Sequence, residues 1–225
     1  MIMYLEEYFI RKYDTFSFDI FDTLIQRKGV KDPRDIFILV AKSVMPDQDP
    51  MQFCRDRIEA EKKARNRKLN GEVNLSDIYV ELYNRYDAMI KILEEAELGI
   101  ETDQAQPKEN VIRFYNKCIS AGKEVFIISD MYIPKYHIIT MLEKCGIRYP
   151  TRLFISNEYL CNKRNGGLFD VIKKETSIIP QNHIHIGDDI MSDYLMPRKK
   201  GMAAFLIHRH YRIHRTINSL FKKYQ

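Results

Sequence analysis

The sequence predicts an α/β protein, a Rossmann-like, doubly wound parallel sheet with an inserted helical cap. Three observations carry that expectation. Short apolar runs ending in polar residues recur at residues 15–20, 124–129, 152–156, 183–186 and 202–207, and these are strand signals. Helical patterns alternate with the later strands, and such alternation implies parallel pairing. Between the first strand and the rest, residues 32–99 keep a helical texture with no strand. The division expected is a core of residues 1–30 and 100–225 and a helical cap of residues 31–99.

Within the insert, Asp32 followed by Pro33 is an N-cap and first-turn pair, with Ile36, Leu39, Val40 and Val44 on one face. A second helix covers residues 51–69 and ends at Asn70-Gly71. Asn74 caps a third that carries Leu75, Ile78, Tyr79 and Leu82. A fourth groups Tyr86, Met89, Ile90 and Leu93 and stops near Gly99. Beyond Pro107, Val111, Phe114, Tyr115, Cys118 and Ile119 share a helical face, and Pro134 opens a helix ending at Gly146. Residues 168–174 form another helix, and a last one carries Ile213, Ile217, Leu220 and Phe221.

Composition narrows the function classes. With 45% apolar residues among 225, the chain can bury a proper core. The net charge of +5 is too small an excess to demand a nucleic-acid partner. No apolar run is long enough for a membrane span, and the early acids Glu6 and Glu7 do not suit a secretory signal. Cys54, Cys118, Cys145 and Cys161 form no CxxC pair and read as thiols of a reducing cytoplasm.

Four segments carry chemistry. They are Phe18-Asp19-Ile20-Phe21-Asp22-Thr23-Leu24, Ile127-Ile128-Ser129-Asp130, Lys163 ahead of Gly166-Gly167, and Gly187-Asp188-Asp189 with Asp193. Together they supply a nucleophilic carboxylate, a hydroxyl, a cation and further carboxylates for a metal, the requirements of metal-assisted attack on a phosphoryl group. Asp19, Ser129 and Asp188-Asp189 fall at three strand ends, where open parallel sheets carry their sites. Taken singly, each has a plainer reading. Ser129-Asp130 suits a turn or cap, Lys163 a solvated loop, Asp188-Asp189 a helix cap and Gly166-Gly167 a flexible loop.

These motifs resemble those of the haloacid dehalogenase-like hydrolase superfamily, whose members are mostly magnesium-dependent phosphatases. The wording of Ser17 to Leu24, Ile128 to Tyr132 and Gly187 to Asp189 resembles a bacterial branch associated with surface-polysaccharide and glycosyltransferase functions. The resemblance covers residues 13–30 and 107–208. It implies Asp19 as a nucleophile forming an aspartyl-phosphate, Ser129 bonding a phosphoryl oxygen, and Lys163 holding nucleophile and phosphate together. It also implies Mg2+ held by Asp19, the backbone carbonyl of Phe21, Asp188, and Asp189 or Asp193 directly or through water. Lys163-Arg164 stands where Lys-Pro is more usual.

Phe21 departs from the pattern, because the phosphatases place an aspartate there to protonate the leaving group. Losing such a catalyst costs ~10²–10⁴ in rate. Three explanations stay open. The leaving group departs unprotonated, or Asp22 substitutes although neighbours on a strand point to opposite faces, or the reaction is a dehalogenation. Dehalogenating members also carry an aromatic residue there and do not rely on magnesium, so the acidic pair favours phosphate. The expectations are a phosphohydrolase acting on a small phosphorylated metabolite such as a sugar or glycan precursor, a phosphate- and magnesium-binding accessory protein, or a dehalogenase.

Other features admit two readings. His183 and His185 share one strand face, as a metal pair or as packing beside the sheet. His208, His210 and His214 lie in a basic tail that reads as a surface patch. Lys62, Lys63, Arg65, Arg67 and Lys68 form a solvated helix face or, on a cap, steer an anionic substrate. Tyr79, Tyr83 and Tyr86 read as core or helix contacts.

Overall fold

The computed structural model describes residues 5–30, 32–147 and 152–207. Its strands are β1 (Thr15–Phe18), β2 (Ile25–Arg27), β3 (Ala105–Pro107), β4 (Glu124–Ser129), β5 (Leu153–Ile155), β6 (His183–Gly187) and β7 (Ala203–Leu206). Its α-helices are α1 (Glu6–Lys12), α2 (Asp35–Val44), α3 (Pro50–Arg67), α4 (Leu75–Val80), α5 (Tyr83–Tyr86), α6 (Ile90–Gln104), α7 (Glu109–Ser120), α8 (Lys135–Lys144), α9 (Ser156–Tyr159), α10 (Gly167–Glu175) and α11 (Met196–Lys199).

Five strands form one parallel sheet in the order β5-β4-β1-β6-β7. The chain winds outward from β1 through β4 and β5, then crosses to the other side for β6 and β7. That reversal at β1 opens a crevice at its carboxyl end. Register places the site: Phe18 lies opposite both Ile127 and Ile186. Asp19, Ser129 and Asp188, one or two residues further on, therefore emerge at one edge of the sheet.

The two faces of β1 differ. Phe16 and Phe18 are fully buried and meet Phe114 of α7 edge-on, with ring centroids 5.9 and 5.8 Å apart. Ser17 points to the opposite face, which β6 shares through His183 and His185 and which α10 covers through Phe169. The inner strand β4 reads as a continuous apolar run because it is buried on both faces.

Helices α2 to α6 occupy the chain between β2 and β3, with no other strand among the described residues there. Asp49 caps α3 by accepting from the Met51 amide (2.9 Å), and Pro50 takes the first turn, where its missing N–H costs nothing. Arg57 of α3 is fully buried and bidentate on Glu97 of α6 (2.8 and 2.7 Å). The Tyr79 hydroxyl donates to the same carboxylate (2.8 Å). The guanidinium also lies 5.0 Å from the ring of Tyr132, which follows β4, and the Tyr132 carbonyl accepts from the Leu75 amide (3.0 Å). One buried ion pair thus ties the inserted helices together and seats them beside the carboxyl edge of the sheet.

Several local expectations shift. The helix expected at Pro33 begins at Asp35, because Asp32 and Pro33 make the preceding turn (Asp35 amide to Asp32 carbonyl, 2.8 Å). Gly99 does not end α6, which runs on to Gln104. The extra turn stacks Glu101 one turn beyond Glu97, so that each acid meets its own arginine, Arg27 and Arg57. Strands β2 and β3 pair antiparallel, from Ile25↔Pro107 to Arg27↔Ala105, and were not anticipated because three residues show no period. Helix α1 was also not anticipated. The last expected helix and His208, His210 and His214 lie outside the described residues.

Candidate active site

Strand β1 ends at Phe18, and the Asp19 amide still bonds the Ile186 carbonyl (2.9 Å). That last ladder bond aims the Asp19 carboxylate over the sheet edge. The chain then reverses: the amides of Leu24 and Ile25 both reach the Ile20 carbonyl (2.9 Å), and Asp22 adopts φ 59°. Strand alternation therefore stops before Asp22, which lines the same cleft as Asp19 and Phe21. Lys108 closes the turn by donating to the Asp22 carbonyl (2.6 Å).

Lys163 is not a solvated loop lysine. It is buried, and its ammonium bridges Asp19 Oδ1 and Asp193 Oδ1, both at 2.6 Å. Its own amide donates to Asp130 Oδ1 (2.8 Å), so the residue after Ser129 anchors the lysine loop. Burial opposes the ammonium charge, but Asp19 and Asp193 outweigh it and hold the lysine above its ordinary pKa. Ser129 is buried at the end of β4 and lines the cleft.

The two acids after Asp188 take different places. Asp189 caps the π-helical segment Ile190–Leu195, accepting from the amides of Met191 (2.9 Å) and Ser192 (3.0 Å). Of the carboxylates expected around a metal, Asp19, Asp188 and Asp193 offer oxygens all within 4.8 Å of one another, and Asp189 is not in that cluster. Asp193 takes four donors: Lys163 and His185 (3.2 Å) on Oδ1, and the amides of Asp188 (3.1 Å) and Asp189 (2.9 Å) on Oδ2. Gly187 makes this closure possible, because a Cβ there would stand 2.4 Å from Asp193 Cβ.

Electrostatics follow from the crowding. Burial pushes the Asp19 carboxyl well above its usual range, Lys163 opposes this, and Asp193 and Asp188 add to it. Burial also works against the Asp193 carboxylate, but Lys163 and His185 hold it below the usual range. Asp19, Asp188 and Asp193 gather three buried carboxylates about one point. The set consists of hard oxygens, so a divalent cation such as Mg2+ fits it in charge and ligand type.

The fold brings together Asp19, Ser129, Lys163, Asp188 and Asp193, which the sequence singles out. Arg27, which lies over Phe21, and Ser17 and His185 behind Asp193 were not expected there. The only signal for the last pair was the shared strand face of His183 and His185. The basic run of α3 divides: Lys62 and Arg65 line the cleft, while Lys63, Arg67 and Lys68 pair with Glu59, Glu81 and Asp77. Tyr79 and Tyr86 are buried, and Tyr83 is exposed.

No family model matches the chain, and no curated protein matches its sequence. Solved structures do match it. A protein named as a HAD hydrolase, YfnB of Bacillus subtilis, bound to magnesium, has a TM-score of 0.60 at 14% identity over 92% of this chain and 99% of that one. A haloacid dehalogenase-like family hydrolase of Xanthomonas campestris gives 0.62 at 13% identity over 95% of each chain. A 2-haloacid dehalogenase of Pseudomonas syringae gives 0.63 at 14% identity over 84% of each. The chain has the haloacid dehalogenase-like hydrolase fold.

Proposed function

We propose that the protein is a magnesium-dependent phosphohydrolase with Asp19 as its nucleophile. The observation that carries the reading is Lys163, buried between Asp19 and Asp193 with Asp188 in the same cluster. Such a cluster suits an anionic, metal-bridged substrate. A carbon–halogen bond gives no reason to gather three carboxylates.

Asp19 attacks phosphorus, forming an aspartyl-phosphate as the ester P–O bond breaks. Ser129 donates to a phosphoryl oxygen, and Lys163 orients the nucleophile and offsets charge on the transferring group. Asp19, Asp188 and the Phe21 carbonyl would hold the magnesium, which supplies charge neutralisation to the phosphoryl oxygens when bound. Asp193 then orients Lys163, and Asp189 shapes the turn that carries both acids. Water hydrolyses the aspartyl-phosphate and releases phosphate.

Phe21 supplies no proton, so the leaving group departs as an anion or takes its proton from Asp22 or water. This favours stable leaving anions and also supports a second reading, an accessory protein that binds phosphate and magnesium with little turnover. Residues 31–99 act in either case as a cap, since Arg34, Phe37 and Lys62 line the cleft of about 750 Å³ above Asp19. The sequence resemblance adds a phosphorylated sugar or glycan precursor as the substrate class. A cytoplasmic location suits the four free cysteines. No helix among the described residues is long and apolar enough to cross a membrane.

The test is steady-state hydrolysis of an aryl phosphate with and without magnesium, wild type against Asp19→Asn. Magnesium-dependent turnover lost in the folded variant supports the enzyme. Absence of wild-type turnover with retained magnesium binding selects the accessory protein. Halide release from a 2-haloacid without metal would select a dehalogenase.

A further inference from the structure

A continuous line of polar groups, buried beyond the half-buried Thr15, runs along one face of the sheet into the site. Thr15 Oγ1 meets His183 Nδ1 at 2.8 Å, and His183 Nε2 meets Ser17 Oγ at 2.7 Å. Ser17 Oγ meets His185 Nδ1 at 2.7 Å, and His185 Nε2 meets Asp193 Oδ1 at 3.2 Å. Asp193 Oδ1 then meets Lys163, which holds Asp19. Ser17, His183 and His185 are fully buried. The line exists because β1 and β6 pair in register, Ser17↔His185 and Thr15↔His183, which sets hydroxyls and imidazoles side by side.

The chemistry of the ends gives the line a direction. Asp193 beside the Lys163 ammonium is ionised and only accepts, so His185 Nε2 donates to it. Full burial of both rings disfavours their charged forms. In the neutral rings His185 Nδ1 accepts from the Ser17 hydroxyl, whose oxygen accepts from His183 Nε2–H. His183 Nδ1 finally accepts from Thr15. Each hydroxyl in this order gives one hydrogen and leaves no imidazole nitrogen idle.

We infer that His185 is a positioning residue, which fixes the Asp193 carboxylate and through it Lys163 and Asp19, with Ser17 and His183 setting its tautomer. The inference rests on the reading of Asp19 as nucleophile. Phe169 meets the His185 ring edge-on at 5.2 Å, so the imidazole cannot tilt away from Asp193 without disturbing α10. A neutral donor suits the place, because it orients Asp193 without adding a cation that would compete with Lys163 or the metal.

The test compares His185→Leu with His185→Gln, whose amide N–H still reaches toward Asp193, alongside Asp19→Asn. The expected result is a fall in kcat of about 10–100-fold for His185→Leu, little change in KM, and recovery of most of kcat in His185→Gln. Melting curves check that both variants fold. Wild-type kcat in folded His185→Leu overturns the inference, as does equal loss in both variants. Wild-type turnover in Asp19→Asn instead brings down the reading of the site. Nitrogen-15 NMR of the wild type is independent of turnover: His185 Nε2 should carry a hydrogen, and a bare Nε2 overturns the positioning role.

Discussion

The Arg27 guanidinium lies 4.4 Å from the centroid of the Phe21 ring while bonding Glu101 of α6 through Nε and Nη2 (2.7 and 2.8 Å). The residue two after the proposed nucleophile is therefore packed under a cation that is itself locked to the inserted helices. Phe21 is held in place as part of a stack, and a carboxyl at that position would sit beside a fixed positive charge.

Phe21→Asp tests what this stack removes. An alkoxide needs a proton to leave and a phenolate needs one less, so kcat/KM should rise more for alkyl than for aryl phosphates. Arg27 would keep the new carboxyl ionised, so the gain at neutral pH should fall short of ~10² and grow as pH drops toward 5. Equal changes for both substrate types would show that leaving-group protonation is not what Phe21 withholds. A wild type already fast on alkyl phosphates would make Asp22 the next residue to replace.

The acids after β6 should separate in their response to metal. Asp188→Asn should abolish magnesium binding by calorimetry. Asp189→Asn keeps a side-chain acceptor for the Met191 and Ser192 amides and should leave magnesium affinity within about threefold. Asp189→Ala should cost about 1 kcal/mol of stability through the lost cap. Loss of binding in Asp189→Asn comparable to that in Asp188→Asn would place Asp189 on the metal.

The Arg57–Glu97 pair should dominate the stability of the inserted helices. Glu97→Ala leaves the buried guanidinium with the longer contact to Glu61 (3.4 Å) and the Tyr79 hydroxyl without that acceptor, so urea unfolding should show a loss of about 3–5 kcal/mol. Arg57→Met with Glu97→Leu should recover most of it, since apolar residues replace a desolvated pair. A loss under 1 kcal/mol for Glu97→Ala would mean that the pair is water-accessible in solution.

Gly187→Ala should damage the site more than its size suggests. Its methyl group would overlap Asp193 Cβ and Cγ, forcing the turn after β6 away from the strand. A loss of about 1–3 kcal/mol and a drop in kcat should appear together. Unchanged activity with a lowered melting temperature would show that Asp193 tolerates displacement.

Strand ends and the polar residues that close them were legible because they rest on local signals. Apolar runs of β1, β4 and β6 stop at Asp19, Ser129 and Asp188, and a parallel sheet collects such ends at one edge. The helical texture of residues 32–99 was equally local. The short pair β2–β3, the run of α6 past Gly99 and the cleft-facing Asp22 were not, because each depends on partners far along the chain. Nothing in Gly187-Asp188-Asp189 distinguishes the acid that joins Asp19 from the acid that caps a turn; the backbone path after β6 separates them. Nor does the run from His183 to His185 contain its own meaning. The sequence determined that polar groups would line one face of β6, and only the register of β1 against β6 set Ser17 between two imidazoles and connected them to Asp193. Hydrogen bonds act over about 3 Å, and only tertiary packing brings residues so distant in sequence within that reach.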